Sequence, residues 1–306
     1  MWTAMSDVVI PQRSSPAALV VAMRPRQWLK NVLVFAAPLA AGALLEPDVL
    51  IPSVIAFVAF CLMSSATYLV NDVRDVESDR AHPTKRARPI AAGQLAPGAA
   101  MVAAAVIAVV SLGLALWVNI GLFGVLLAYA AFTLAYSLLL KHEPVIELAL
   151  LSMGFLLRAI AGGVAAELPI SRWFLIVAGF GSLFMAAGKR FSELEHAARD
   201  SNGAAEHTRR SLAGYTPGYL RFVWGTAAAV AITAYCLWAF EVGLAESSFP
   251  WAEWSVLPFV LAILRYAADV DRGEAEAPED VVLHDRALLA MGAAWLVLFG
   301  LGALGV

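Results

Sequence analysis

The chain has 306 residues; 61% are hydrophobic, only 15% are charged, and the mean hydropathy is +0.75. That balance excludes an ordinary water-soluble protein and points to an all-α integral membrane protein. The formal net charge of −3 decides little, because the charges are segregated along the chain.

Residues 1–27 read as an N-terminal cytoplasmic or interfacial segment. The run "AALVVAM" is short, and "RPRQWLKN" follows it without a small-residue cleavage site, so a cleaved signal is not expected. Residues 28–306 then read as one transmembrane domain, with no hydrophilic block long enough to fold alone. Apolar runs predict about nine spans, near 28–45, 51–71, 98–117, 121–140, 145–166, 171–188, 218–240, 254–270 and 286–305. Cys61 and Cys236 fall inside spans and read as packing residues.

Basic residues set the orientation. Arg13, Arg24, Arg26 and Lys30 precede or enter the first span. Arg74, Arg80, Lys85, Arg86 and Arg88 follow the second, Lys141 the fourth, and Lys189, Arg190, Arg199, Arg209 and Arg210 the sixth. Arg272 and Arg286 lie between the eighth and ninth. The opposite side has Arg172 and is otherwise acidic, with Glu46, Asp48, Glu167, Glu241, Glu246 and Glu253. The asymmetry predicts a cytoplasmic N-terminus and an outer C-terminus. It also accounts for "TKRARP" without nucleic acid.

Asn71, Asp72, Asp75 and Asp79 sit at offsets 0, 1, 4 and 8, on one helical face at the end of the second span. Such oxygen donors suit Mg²⁺ completed by phosphate oxygens and water. A solvated helix end, with the acids paired to Arg74, Arg80 and Lys85, is the plain alternative. The patterned bases favour the metal reading: Lys85, Arg86 and Arg88 stand between Pro83 and Pro89, beside the acids, as a diphosphate substrate requires.

The pattern N-D-x-x-D-x-x-x-D followed by "KRARPI" resembles the first motif of the UbiA superfamily of intramembrane prenyltransferases. The resemblance implies a nine-helix bundle with a cytoplasm-facing polar cavity that binds a Mg²⁺-diphosphate. It also implies roles for Tyr136 and Lys141 at the end of span four, where a snorkelling Lys141 is the other reading. At the end of span six, "GKRFSEL" departs from the superfamily's second aspartate-rich motif and offers Lys189, Arg190 and Glu193. Two bases there favour an extra anion over a second metal.

That departure, with "MRPRQWLKN", "RAIAGGVA", "YLRFVW" and "ILRYAADVD", is similar to the decaprenyl-phosphate phosphoribosyltransferase branch, from about residue 20 onward. The resemblance implies transfer of phosphoribosyl from phosphoribosyl diphosphate (PRPP) to a polyprenyl phosphate, with release of pyrophosphate. It brings Gln27, Lys30 and Tyr68 into the expected site. Lys189 and Arg190 are expected to take either the distal ribose phosphate or the lipid phosphate. Arg158, deep in span five, costs about 2.5–3.5 kcal/mol to insert, so it faces either the cavity or an acid on another helix. No nucleophile–base set stands out, and the five histidines read as surface residues. Prenyl transfer to an aromatic acceptor and an ion transporter are the competing functions. Small-residue stripes permit a homo-oligomer.

Overall fold

In the computed structural model of the chain, the described residues are 15–140, 143–199, 212, 214–243, 249–275, 281 and 284–303. Among them all regular structure is helical. A short helix α1 (Pro16–Ala22) leads into a 3-10 segment (Pro25–Phe35) and α2 (Ala36–Ala40). Then come α3 (Pro47–Arg74), α4 (Val76–Ala81), a 3-10 turn (Lys85–Ala87), α5 (Pro97–Val118) and α6 (Ile120–Ala135), which ends in a π turn (Tyr136–Leu140). The rest is α7 (Pro144–Ala165), α8 (Arg172–Arg199), α9 (Pro217–Gly243), α10 (Trp251–Asp271) and α11 (Arg286–Ala303).

Six of these helices, α3, α5, α7, α8, α9 and α11, are long and apolar enough to cross a membrane. That is fewer than the nine expected spans. The expected first span is a 3-10 segment followed by a five-residue helix. The fourth is a 16-residue helix, and the eighth carries Glu253, Arg265, Asp269 and Asp271.

The first segment shows how sequence sets local form. Side chains at i and i+3 eclipse in a 3-10 helix, which aligns Trp28, Asn31 and Val34 on one face. Asn31 and Val34 are fully buried, and Trp28 Nε1 donates to Ser65 Oγ at 3.0 Å. Close approach of α7 to this segment depends on Gly162. A Cβ there would stand 2.1 Å from the backbone oxygen of Val34, and one at Gly163 would stand 2.9 Å from the Ala37 Cβ. The small residues of "AGGVA" thus serve tight packing.

Two cores divide the bundle. One joins Phe60, Met63, Leu122, Leu126, Tyr129 and Leu157 from α3, α6 and α7; the other joins Phe184, Phe191, Leu220, Tyr266 and Val270 from α8, α9 and α10. Ala18 and Ala22 of α1 pack with Leu69, Ile90 and Leu95, so α1 is docked onto the bundle at the end of α3. Exposed apolar side chains on α5, among them Val102, Val106, Val109 and Trp117, form a face suited to lipid.

Candidate active site

The C-terminal ends of α3 and α6 and the middle parts of α7 and α8 come together in the bundle. They enclose, with the 3-10 segment, a cavity of about 260 Å³. Of the residues expected from sequence, Lys30, Tyr68, Asn71, Tyr136, Arg158, Lys189 and Arg190 line it. Gln27 lies on the same 3-10 segment but does not line the cavity, and Lys85 is exposed on its turn. Lys141 lies outside the described residues.

The acids divide into two kinds. Asp75 caps α3, and its φ of −90° and ψ of 9° separate α3 from α4. Asp72 is buried and accepts from Arg24 Nη2 at 2.5 Å and Arg88 Nη1 at 3.3 Å. Asp79, also buried, lies 2.7 Å from the same Arg88 Nη1. Asn71, on the cavity wall, and Asp75, one turn later, have no side-chain partner among the described residues.

The plain alternative paired these acids with Arg74, Arg80 and Lys85, whereas Asp72 and Asp79 meet Arg24 and Arg88. Arg74 donates to the Ser137 carbonyl and Arg80 to that of Ala91, while Arg24 and Arg88 take the carboxylates. Arg24 adopts a left-handed φ of 55° and stacks 4.9 Å over the Tyr68 ring. A non-glycine residue held in that region marks a constrained, often functional, position. In the sequence Arg24 looked only topogenic.

Oxygen-only donors fit a hard divalent cation. The four residues do not converge as one ligand set, however, and among the described residues no three acidic, His or Cys side chains are placed to hold a metal. The donors without a partner are Asn71 and Asp75; Asp72 and Asp79 instead hold two guanidinium groups beside them.

On the facing wall, Arg190 is already compensated. Its guanidinium pairs with Glu147 and Glu193, and it donates to Tyr136 Oη at 2.8 Å. Glu147 is buried and also accepts from Tyr215 Oη at 2.7 Å. Burial, and then that hydrogen bond, pushes the Tyr215 hydroxyl's pKa up, keeping it a donor. Arg190 is thus the centre of a structural knot joining α7, α8, the π turn after α6 and the residues just before α9, while Lys189, 3.8 Å from Glu193, is partly exposed.

Arg158 faces the cavity, and among the described residues no acid pairs with it. Its Nε donates to Asn31 Oδ1 at 2.7 Å, Nη1 to the Gly154 carbonyl at 2.8 Å and Nη2 to Tyr129 Oη at 2.7 Å. Sequence reading missed Asn31, Tyr129 and Glu147. Their only signal was a polar side chain inside an apolar run.

The UbiA prenyltransferase family model matches residues 32–292. The chain belongs to the UbiA prenyltransferase family. Within it, the chain is 48% identical to a decaprenyl-phosphate phosphoribosyltransferase of Mycolicibacterium smegmatis, covering 97% of each. It is 50% identical to the protein of that name from Mycobacterium tuberculosis, covering 97% of this chain and 98% of that one. A UbiA homolog from Archaeoglobus fulgidus bound to GPP and Mg²⁺ superposes with a TM-score of 0.67 at 15% identity, covering 94% of this chain and 100% of that one. The superposition shows the UbiA fold for this chain.

Proposed function

We infer that this chain is a membrane glycosyltransferase that moves 5-phosphoribosyl from PRPP to decaprenyl phosphate and releases pyrophosphate, in the synthesis of cell-wall arabinan precursors. The observation that carries this reading is the near-full-length identity of about half to two relatives bearing that activity in their names. The cavity supports it: cationic side chains on opposite walls suit a donor with anionic groups at both ends.

In this reading Asn71 and Asp75 are the metal ligands, with Asp72 and Asp79 fixing Arg24 and Arg88 beside them. Bound Mg²⁺ would supply charge neutralisation on the leaving diphosphate. Arg88, Arg24 and Lys85 serve the same anion by charge-assisted hydrogen bonds. Lys30, Tyr68, Tyr136 and Lys189 orient the donor, with Gln27 on the same 3-10 segment as Lys30. The acceptor phosphate is an anion at neutral pH, so it attacks the anomeric carbon without a strong base. Alignment and fixed charge then carry the rate.

The polyprenyl chain fits an apolar groove of about 640 Å³ between α7, α8 and α9, lined by Leu148, Leu156, Leu183 and Phe222. The chain is a multi-pass membrane protein. Because the basic residues Lys30, Lys189 and Arg190 line the cavity, the positive-inside rule supports a cavity facing the cytoplasm of a plasma membrane protein. With nine crossings the C-terminus lies outside. Residues 28–306 form the catalytic domain in this reading, and Arg24 of the preceding segment completes its site.

Purified protein incubated with Mg²⁺, PRPP and polyprenyl phosphate tests the reading by product mass. A gain of one phosphoribosyl unit, lost with EDTA, is expected. Turnover of a polyprenyl diphosphate with an aromatic acid instead would overturn it.

A further inference from the structure

Arg158 is 7% exposed and no carboxylate lies within ion-pair distance of it among the described residues. A buried cation without a counter-ion is costly, and proteins retain one where a ligand supplies the missing charge. The rest of the geometry is built around that guanidinium. Asn31, fully buried, donates through Nδ2 to Cys61 Sγ and Ser64 Oγ, which fixes its Oδ1 toward Arg158 Nε. Tyr129 accepts from Nη2 and presents its ring 4.6 Å from the guanidinium carbon.

Arginine carries five N–H donors. Three are used on Asn31, Gly154 and Tyr129, leaving one on each terminal nitrogen for the cavity that Arg158 lines. Gly154 keeps the space beside Nη1 open: a Cβ there would lie 3.6 Å from it. A planar fork with two parallel donors matches phosphate oxygens.

Position sets this group apart from the acidic end of α3. Arg158 lies eleven residues beyond Glu147 on α7, about 16 Å further along the axis. Asn31 meets α3 at Cys61 and Ser64, about 10–15 Å before Asn71. The cavity therefore has two anion-binding poles, one at the acidic helix end and one at its inner end.

We propose that Arg158, held by Asn31 and Tyr129, is a binding site for a phosphate monoester at the inner end of the cavity. This rests on reading the cavity as a phosphoribosyl-transfer site. Both substrates of that reaction end in such a group: the ribose 5-phosphate of the donor and the phosphate of the lipid acceptor.

The test compares the native protein with Arg158→Met, which keeps volume and removes charge, and Arg158→Lys, which keeps charge and loses the fork. Thermal unfolding is read with ribose 5-phosphate or farnesyl phosphate as probe, and KM is read for PRPP and for the lipid phosphate. Arg158→Met should unfold at the same or a higher temperature than the native protein without probe, because an uncompensated buried charge has gone. Its KM for one substrate should rise roughly 10- to 100-fold, with Arg158→Lys between. Loss of the ribose 5-phosphate shift with a raised PRPP KM assigns the donor end. Loss of the farnesyl phosphate shift with a raised lipid KM assigns the acceptor end. A lower unfolding temperature in Arg158→Met with both KM values and both probe shifts unchanged would overturn the proposal. If the native protein forms no phosphoribosyl lipid while a probe shift is still lost in Arg158→Met, the transfer reading fails and the phosphate site stands.

Discussion

Arg24 Nη2 lies 2.5 Å from Asp72 Oδ1, across 48 residues of sequence, and couples the N-terminal segment to the acidic end of α3. Arg24 holds this contact from a left-handed backbone, a conformation non-glycine residues seldom adopt. Arg24→Ala and Asp72→Ala should each lower kcat by about 100-fold, as for other fixed charges at developing anions. Because the two act as one unit, the double variant should lose no more than either single one. Additive losses in a double-mutant cycle would separate them.

Asn71 and Asp75 are the acidic-end donors without a side-chain partner among the described residues, so they should dominate the metal dependence. Chelation by EDTA should abolish turnover and added Mg²⁺ should restore it. Asn71→Ala or Asp75→Asn should raise the Mg²⁺ concentration for half-maximal activity about 10- to 100-fold. Asp79→Asn, which releases Arg88, should shift it less. Titration of initial rates against free Mg²⁺ reads all three.

The Glu147–Arg190 pair should be structural. Glu147 is 3% exposed and binds both Arg190 and Tyr215, so Glu147→Gln leaves a buried cation with one remaining carboxylate. Breaking such a pair costs about 3–5 kcal/mol. Its unfolding temperature in detergent should fall well below that of Glu193→Gln, whose side chain is 21% exposed. Equal shifts would count against this division of roles.

Gly162→Ala would push a methyl group into the backbone oxygen of Val34 and force α7 away from the 3-10 segment. A loss of about 1–3 kcal/mol or more follows from overpacking, with a parallel fall in activity because Asn31 and Arg158 sit on these two elements. Gly98→Ala, where nothing lies within 4 Å, is the control and should be neutral in the same thermal assay.

Much of this arrangement was legible in the sequence, for a physical reason. Membrane helices announce themselves by length and apolarity, and charged helix ends stand out against them, so the stretch from Asn71 to Arg88, together with Tyr136 and Lys189, marked the neighbourhood of the cavity. What could not be read is which charge meets which. Arg158 finds Asn31 across 127 residues, and Arg190 finds Glu147 in place of a substrate phosphate. Pairings of that range depend on helix rotation and packing. The 3-10 form of the first segment was equally hidden, since a period of three in Trp28, Asn31 and Val34 differs little from a helical period over so short a run.

The central claim is that the acceptor phosphate attacks the anomeric carbon while the diphosphate leaves. The most direct measurement uses PRPP carrying ¹⁸O in the bridge between that carbon and the diphosphate, followed by mass analysis of both products. The account predicts that all of the label departs with pyrophosphate and none enters the phosphoribosyl lipid. Label left on C1 and recovered as ¹⁸O-labelled ribose 5-phosphate would place bond breaking at phosphorus and contradict it.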